Sequence, residues 1–547
     1  MSAVTGAPSP QRAAVALAGT GGMIRLILRR DRFLMPAWVL VLSLIPVNFV
    51  SATEKIYPTA ADRVGYANTS GTNPTFLALY GPLFDKSLGG IIAQRSGFIP
   101  VVLGLIAILT VVRHTRAEEE AGRRELLGAT VMGRGAGLAA ALAVTSAAGL
   151  VIAALLTAGM TAQGLPFAGS LAFGLELGLA VCVFAAVAGI AAQLTEGAGS
   201  ARGLSIAVLG AAFAVRLTAD IGGAGNGLSW LGWLSPLGWV QRLRPYAGER
   251  WWVLLLIVVL TGLLIAVAGI LSARRDVGAG VLPPRLGPAD GPSRLSGPFG
   301  LGWRLQSRPL YGWLAGFAAL GLIYGSVAGS VEDLVGDNPD LEKIFTRLGG
   351  QTAIVDAYFA SVMGMLGLAA AAYAVSATLR LRTEEAALRA EPLLATPTGR
   401  LRWAASHLVF TLLGSAAVLA VGGAAAGLAR GLDGGDLGRD VPRVLGAALA
   451  QLPAVWLVAA ITLAIYGLVP RFTAAGWAVV AAAAIITLFG TTLDLAQGVL
   501  DLSPFTHVPK VPGNAFTVTP IIWLLAVTAA LTVTGLTALR RRDLALG

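Results

Sequence analysis

Uncharged apolar stretches of about 20 residues recur along the whole chain, and this repetition limits the fold more than any other feature. A bilayer core is spanned by roughly 20 apolar residues in a helix, and in lipid only helices and closed barrels satisfy every backbone group. No stretch shows the alternation of a barrel strand. The sequence therefore predicts an all-α membrane protein with about 12 transmembrane helices. The predicted spans are 33–52, 97–115, 136–160, 168–193, 201–221, 250–273, 310–330, 352–378, 404–429, 444–468, 473–493 and 516–539.

The composition excludes a soluble protein. Apolar residues make up 56% of the chain and charged residues only 13%, about half the charged share of a soluble domain. The net charge of +11 does not indicate a nucleic-acid partner, because the arginines lie in short loops beside apolar stretches, as the positive-inside rule describes. That rule predicts a multi-pass protein of the cell (plasma) membrane with both termini in the cytoplasm.

The chain is an internal duplication. Residues 116–134 align with residues 382–400 without a gap, and eleven of the nineteen positions are identical. A Leu-Ser-Pro triplet at 234–236 recurs at 502–504. Six spans followed by six spans predict two parallel repeats about an axis along the membrane normal. The predicted segments are a disordered tail (1–22), a first half (23–276), a cytoplasmic linker rich in Gly and Pro (277–300) and a second half (301–547).

The duplicated segments 116–134 and 382–400 follow the second span of each half and carry paired glutamates. Their Arg, Glu and Leu residues fall on roughly three helical turns, and a short amphipathic helix of this kind docks into a groove on a cytoplasmic partner. A solvated loop is the alternative, and it explains the arginines but not the repeated glutamates. The candidate coupling residues are Arg116, Glu118, Glu119, Arg123, Glu125 and Leu127 in the first half and Arg382, Glu384, Glu385, Arg389, Glu391 and Leu393 in the second.

A basic, partly apolar stretch precedes the first span of each half, at residues 23–32 and 301–308. Each stretch predicts a short "elbow" helix that lies in the inner headgroup layer. Ordinary charge flanking a span is the alternative interpretation. The candidate elbow residues are Arg25, Arg29, Arg30 and Arg304.

Charged residues inside spans indicate function by default, because a charge in lipid is costly. Glu176 is isolated in the fourth span, where it either lines a transport pathway or makes an interhelical hydrogen bond. Arg216 and Asp220 lie one helical turn apart in the fifth span, a spacing that favours an ion pair. Asp356 lies near the start of the eighth span. These four are the candidate pathway residues.

The sequence contains no recognisable site for nucleotide, metal or covalent chemistry. A Walker loop needs Gly-Lys-Ser/Thr, and none of the four lysines follows a glycine. The three histidines are far apart, and Cys182 is the single cysteine, which excludes internal disulfides. We therefore expect no catalytic residue, metal or cofactor in this chain, and any ATP and Mg²⁺ to be bound by a separate subunit.

Four features resemble ABC-2-type permeases. They are the glutamate pair, the Arg-x-Glu-x-Leu and Gly-Arg patterns that follow it, the basic stretch before the first span, and the Ser-Pro pair before the last span of each half. The duplicated twelve-span form resembles actinobacterial exporters of polyketide antibiotics, the tetronasin-exporter-like permeases. This resemblance implies two copies of a cytoplasmic ABC ATPase subunit and outward movement of a hydrophobic small molecule. The second segment departs from the pattern at Pro392, and at Leu388 where the first has Gly122, so we expect a shorter helix and weaker docking there.

A proton-coupled secondary transporter of the major-facilitator type is the main alternative, since it also has six plus six spans. Its inner loop after the second span usually contains Asp-Arg-x-Gly-Arg-Arg. Residues 119–124 resemble that pattern only faintly, because an acidic residue replaces a basic one. A membrane-embedded sugar transferase, a third alternative, would need acidic or histidine clusters at the membrane surface, and the sequence has none.

Overall fold

The computed structural model describes residues 16–543 except 70, 72–75, 78–79, 125–130, 221–226, 277, 283–290, 292–294, 296, 337–350, 433–434 and 490–495. The described residues form helices and turns and contain no strand. The chain divides into two compact units, residues 1–287 and 288–547.

The first unit is built from helices α1 to α11, and its apolar helices satisfy their own backbone groups as a lipid environment requires. A 3₁₀ turn at Ser229–Leu234 precedes α10. The helices are α1 (Thr20–Arg30), α2 (Leu34–Ile56), α3 (Ala60–Thr69), α4 (Leu88–Arg95), α5 (Ile99–His114), α6 (Arg116–Glu120), α7 (Ala136–Ala162), α8 (Phe167–Leu194), α9 (Ala198–Asp220), α10 (Pro236–Gln241) and α11 (Trp252–Arg274).

The second unit is built from helices α12 to α20. The helix that corresponds to α8 is divided here into α16 and α17, with two residues between them. The helices are α12 (Pro298–Gly336), α13 (Gln351–Ala386), α14 (Ala390–Leu394), α15 (Arg400–Leu432), α16 (Leu437–Leu449), α17 (Leu452–Leu468), α18 (Ala475–Phe489), α19 (Gln497–Leu500) and α20 (Val518–Arg541).

Each predicted span coincides with one of these helices or with the α16–α17 pair. In the described part of the chain, ten helical segments are long and apolar enough to cross a membrane, with α5 and α6 counted as one segment and α16 and α17 as another. They confirm an all-α membrane protein. The other two predicted spans lie in α12 and in α18, and α18 has only 15 residues, fewer than the roughly 20 needed to cross a bilayer.

Close backbone contacts between helices build the core of each unit. The most apolar stretch of α8 is 83% buried, whereas that of α11 is 22% buried, so α8 is central in the first unit and α11 peripheral. A Cβ on Gly149 of α7 would lie 2.6 Å from the carbonyl oxygen of Gly178 in α8. In the second unit, a Cβ on Gly321 of α12 would lie 2.2 Å from the carbonyl oxygen of Gly422 in α15. Small residues at helix crossings allow this approach in membranes.

The predicted N-terminal tail is too long. Helix α1 begins at Thr20, inside the predicted tail 1–22. Immediately before it, the carbonyl of Ala18 accepts a hydrogen bond from the amide of Gly133 (2.9 Å). The chain is therefore attached to the first unit before α1 starts, and residues 1–15 lie outside the described part.

The two predicted elbow stretches differ in structure. In the first half, α1 is a separate helix, and a three-residue turn at 31–33 leads into α2. In the second half, residues 301–308 form the N-terminal part of α12, which continues through Pro309 into the predicted seventh span. The prediction of a separate second elbow helix is therefore wrong. Proline removes one backbone hydrogen bond from a helix, and that loss does not end α12. Arg304 is exposed on it.

Candidate coupling site

Glu119 is the centre of a buried charge cluster just after the second span. It lies on α6, and the residue is 8% exposed. Three arginines donate hydrogen bonds to its carboxylate: Arg116, Arg124 and Arg275, whose Nη2 lies 2.8 Å from Oε1. We call these four residues the first carboxylate cluster. A buried carboxylate requires such partners, because an unpaired charge away from water is strongly unfavourable.

The arginines of the first carboxylate cluster also bind near the ends of two spans. Arg275 directly follows α11, and its Nε donates to Oε1 of Gln193 near the end of α8 (2.6 Å). Arg116 donates to the carbonyl of Thr195, which caps α8, and to the carbonyl of Ala279 (2.8 Å). Free carbonyls and the helix dipole favour cations at a helix C-terminus. The first duplicated segment is therefore connected to the ends of the fourth and sixth spans.

Glu385, which is 1% exposed, occupies the equivalent position in the second half. The two Nη atoms of Arg542 each donate to one of its oxygens at 2.8 Å, and the Tyr466 hydroxyl donates to Oε2 at 2.7 Å. Arg382 Nη1 lies 3.7 Å from Oε2. We call these four residues the second carboxylate cluster. Two parallel hydrogen bonds make the arginine pair strong and directional. Since Arg542 follows α20 and Tyr466 lies near the end of α17, the corresponding two spans are connected again.

The Gly-Arg pair at the end of each duplicated segment makes a further repeated contact. Arg134 Nη2 donates to the carbonyl of Arg275 (2.7 Å). Arg400 Nη1 donates to the carbonyl of Arg542 (2.7 Å). Each arginine lies at the start of the third span of its half and binds a carbonyl at the end of the sixth. The duplication in sequence is therefore also a duplication of contacts.

A left-handed residue ends the first helical part of each segment. Gly122 has a φ of 69° and the equivalent Leu388 a φ of 58°. Glycine adopts this conformation freely, whereas a leucine adopts it at a cost of about 1–2 kcal/mol. Leu388 therefore makes the same backbone turn as Gly122, and the contacts around the second segment offset the strain of its left-handed conformation.

The duplicated segments are not the three-turn amphipathic helices that the sequence predicts. Helix α6 has five residues, and α13 ends at Ala386. After α13, the amides of Leu388 and Arg389 donate to the carbonyls of Glu385 and Glu384 (both 3.0 Å), the hydrogen-bond pattern of a Schellman cap. The chain then turns, because the left-handed residue cannot continue a right-handed helix.

Glu118 and Glu384 form a second pair of equivalent contacts, in which the partner arginines are exposed. Arg123 donates through Nε and Nη2 to Glu118 (2.7 and 3.0 Å). Arg389 donates in the same way to Glu384 (2.7 and 3.2 Å), and Glu384 also pairs with Arg380 of its own helix (2.8 Å). The hydrogen bonds and charge of Glu118 raise the pKa of the exposed Arg123 guanidinium above its usual value.

In the first half, the elbow helix α1 is bonded to the same region. Arg30, its last residue, donates to Glu118. Asp31 directly after it is buried and pairs with His114 (Nε2 to Oδ2, 2.6 Å) and Arg113 (3.1 Å) at the end of α5. The position of α1 is therefore set by charged contacts with the second span and the first duplicated segment.

Burial separates the predicted coupling residues into a buried group, an exposed group and the half-buried Glu118 and Arg382. Members of the buried group bond within the chain, so they position the segment and do not present a charge to a partner. The buried glutamates are Glu119, Glu384 and Glu385. The exposed residues are Arg123, Arg389 and Glu391. Leu393 is half-buried against the small apolar cluster around Trp403, and Glu125 and Leu127 lie outside the described residues.

Three of the candidate pathway residues form ion pairs. Arg216 Nε lies 3.5 Å from Asp220 Oδ2, which confirms the predicted pair. Arg216 Nη1 also donates to the carbonyl of Gly97 (3.0 Å). Asp356 on α13 pairs with Arg443 on α16. Arg216 and Asp220 pair within α9, whereas Asp356 and Arg443 pair between two helices. The place of these charges on a transport pathway stays a prediction.

Glu176 is 3% exposed in the middle of α8. It borders a cavity of about 20 Å³ together with Tyr80, Gln94 and Gln241, which is room for about one water molecule. A drug-sized ligand does not fit this cavity, so the pathway role of Glu176 also stays a prediction. Within the described residues, no three His, Cys, Asp or Glu side chains are arranged to bind a metal ion.

Sequence reasoning missed five residues of the two carboxylate clusters and their surroundings, among them Arg124 beside the predicted Arg123. Arg275 and Arg542 had a signal, because an Arg-Arg-Asp triplet closes each half, but charge flanking a span explained it equally well. Gln193 and Tyr466 had none, since the two halves use different residue types at these positions.

Ten spanning helices in the described part of the chain, with charge clusters at their ends, define a multi-pass α-helical membrane protein. Residues 295–540 match the family model described as the C-terminal domain of the multidrug efflux system permease Rv1217c. Over 526 residues, 96% of this chain and 95% of the relative, the sequence is 45% identical to the multidrug efflux system permease protein Rv1217c of Mycobacterium tuberculosis. The chain therefore belongs to the family of multidrug efflux system permeases that includes Rv1217c.

Proposed function

We propose that this chain is the membrane-spanning permease of an ATP-binding-cassette exporter that moves hydrophobic, drug-like molecules outward. The 45% identity to a protein named as a multidrug efflux system permease supports the class of cargo. ATP and Mg²⁺ are bound by a separate ATPase subunit, of which two copies bind the two duplicated segments. The duplicated ABC-2 type, similar to tetronasin exporters, is the finer form of this proposal.

The observation that carries the proposal is the pair of carboxylate clusters. A partner that displaces a duplicated segment also displaces Glu119 or Glu385. Through Arg275 or Arg542, the displacement reaches the end of the last span of that half. Transport then requires only that the partner favours different segment positions with and without ATP. A proton-coupled facilitator has no use for a partner at these segments and is the less favoured alternative.

The surface offered to the ATPase is the left-handed turn of each segment. Ala121 and Ala387 are equivalent in the duplication, and both are exposed beside the turn. Leu388 at the second turn is 44% exposed, which offers an apolar contact. In this proposal both turns and both termini lie in the cytoplasm, where the positive-inside rule places their arginines.

Charge insertion at the two turns tests this proposal. The chain is co-expressed with the ATPase of its own gene neighbourhood, and the complex is purified and placed in lipid. The variants are Ala121→Glu, Ala387→Glu and the double variant. Lys55→Glu, an exposed charge change at the opposite end of α2 from α1, is the control.

We expect each single variant to weaken ATPase association at least tenfold, because a mismatched charge at a desolvated contact costs about 1.4 kcal/mol or more. The double variant abolishes ATP-dependent export, and Lys55→Glu leaves both properties unchanged. Full association and export in the double variant contradict docking at these turns. Export driven by a proton gradient in the absence of any ATPase favours the facilitator alternative.

A further inference from the structure

An apolar groove runs along the surface of the first unit where α1, α2 and α7 meet. Its volume is about 540 Å³. Because α2 and α7 are long enough to cross a membrane, the groove is open to the interior of a bilayer. Its lining includes Ile24 and Leu28 of α1, Met35 and Val39 of α2, and Ala143 and Ala147 of α7.

A basic stripe follows the elbow helix beside this groove. Arg25, Arg29 and Arg32 are spaced i, i+4 and i+7 in sequence, and all three are exposed. Arg25 and Arg29 therefore share one face of α1, and Arg32 lies in the turn 31–33 directly after it. The stripe lies directly next to Ile24 and Leu28, which are one residue earlier and line the groove.

The basic stripe has no anionic partner among the described residues, where none of its three arginines forms an ion pair. Nearby charges are paired, since Arg30 binds Glu118 and Asp31 binds His114. The contrast shows that the stripe is not a by-product of an internal charge network. Three exposed positive charges beside an apolar groove are therefore available to an anion from outside the chain.

We propose that this groove and basic stripe form a binding site for an anionic phospholipid of the adjacent leaflet. An acyl chain lies in the apolar groove, and the phosphate group lies against Arg25, Arg29 and Arg32. A basic amphipathic helix in the interfacial layer attracts anionic headgroups while its apolar face enters the acyl region. The inference does not depend on an ATPase partner.

The second unit supplies a matched comparison. Arg304 and Arg308 are also exposed and also precede the first span of their half. They lie on α12, which continues without interruption into that span, so no separate elbow helix forms a groove wall there. Removing these two charges changes the total charge as much as removing two charges of the basic stripe.

The experiment uses the full chain, purified in detergent and titrated with phosphatidylglycerol or phosphatidylcholine while native mass spectrometry counts the bound lipid. The headgroup variant is Arg25→Gln with Arg29→Gln. The groove variant is Ala143→Leu with Ala147→Leu, which fills the groove from two exposed positions of α7. The control is Arg304→Gln with Arg308→Gln. The single variants Arg25→Gln and Ala147→Leu replace any double variant that does not fold.

We expect the unmodified chain to bind phosphatidylglycerol more tightly than phosphatidylcholine. Each arginine removed from the stripe weakens phosphatidylglycerol binding roughly fivefold, as expected for a basic residue near anionic headgroups, and leaves phosphatidylcholine binding unchanged. The groove variant weakens the binding of both lipids, and the control weakens neither.

Three results overturn the proposal. Equal binding of the two lipids by the unmodified chain removes the headgroup preference. An equal loss in the Arg304 and Arg308 control shows attraction by total charge and not by a site. Unchanged lipid binding in the groove variant shows that another part of the chain or a second copy covers the groove.

Discussion

The two carboxylate clusters share three parts and differ in the fourth. In each, a glutamate binds the arginine one turn earlier and the arginine after the last span. The first cluster adds Arg124, whereas the second has Ala390 at that position and uses the Tyr466 hydroxyl instead. The side chain of Arg542 is 15% exposed and that of Arg275 only 5%. The glutamate and the two shared arginines are therefore the common unit, and the fourth donor is replaceable.

The outer glutamates Glu118 and Glu384 also share one equivalent arginine, Arg123 or Arg389, and differ in their second partner. Glu118 is bonded to Arg30 of the separate helix α1, whereas Glu384 is bonded to Arg380 within α13. Only the first half therefore connects an elbow helix to its duplicated segment. The comparison predicts that the inner clusters contribute most to stability and that the outer pairs contribute less.

The largest expected effect comes from removing the charge of each inner glutamate. Glu119→Gln lowers the free energy of unfolding by about 3–5 kcal/mol, because buried Arg116 loses its partner. Glu385→Gln lowers it by about 1.5–3 kcal/mol, because the amide still accepts a hydrogen bond from Tyr466 and water reaches Arg542. Reversible unfolding of the purified chain in lipid measures both values.

Glu391→Gln is the control for this comparison, since Glu391 is exposed in the second segment. Its free energy of unfolding stays within about 0.5 kcal/mol of the unmodified chain. Equal losses for Glu119→Gln and Glu385→Gln would show that the fourth donor and the degree of burial do not matter.

An intermediate effect comes from exchanging the left-handed residues. Leu388→Gly raises the free energy of unfolding by about 1 kcal/mol, because glycine adopts a positive φ without strain. Gly122→Leu lowers it by about 1–2 kcal/mol for the same reason. Thermal unfolding of the two variants measures the difference, with Ala387→Gly as the control that does not stabilise. Destabilisation by Leu388→Gly would mean that the leucine side chain contributes more than its backbone conformation costs.

The smallest effect is expected for the outer pairs. Double-mutant cycles on Arg30 with Glu118 and on Arg380 with Glu384 each give a coupling energy of about 0.2–1 kcal/mol, because water reaches the arginine of each pair, whose side chain is 39% or 34% exposed. The four proteins of each cycle are compared by their free energies of unfolding. A coupling energy larger than the loss of unfolding free energy measured for Glu119→Gln or Glu385→Gln would reverse the order that burial predicts.

The local features of this protein were predictable from its sequence. Every predicted span coincides with a helix or a pair of helices, because apolar composition over about 20 residues is sufficient to define a span. Arg216 and Asp220 were predicted to pair, since four residues along a helix bring two side chains together whatever the tertiary fold.

Two local predictions about helix ends were wrong, one at Pro309 and one at the left-handed residues of the duplicated segments. The sequence predicts separate elbow helices in both halves, but α12 passes through Pro309 without ending. It also predicts a three-turn helix in each duplicated segment, but Gly122 and Leu388 turn the chain. The apolar periodicity of the sequence predicts neither the continuous helix at Pro309 nor the turn at Leu388. Proline usually ends a helix, and leucine rarely adopts a positive φ.

The sequence by itself determined that the chain is helical, membrane-spanning and duplicated, because composition and repetition are properties of neighbouring residues. Only the tertiary structure decided which charges meet. Glu119 and Arg275 are 156 positions apart, and Glu385 and Arg542 are 157 apart. Such contacts depend on which helix ends converge in space, and in a buried site that convergence determines the partner of every charge.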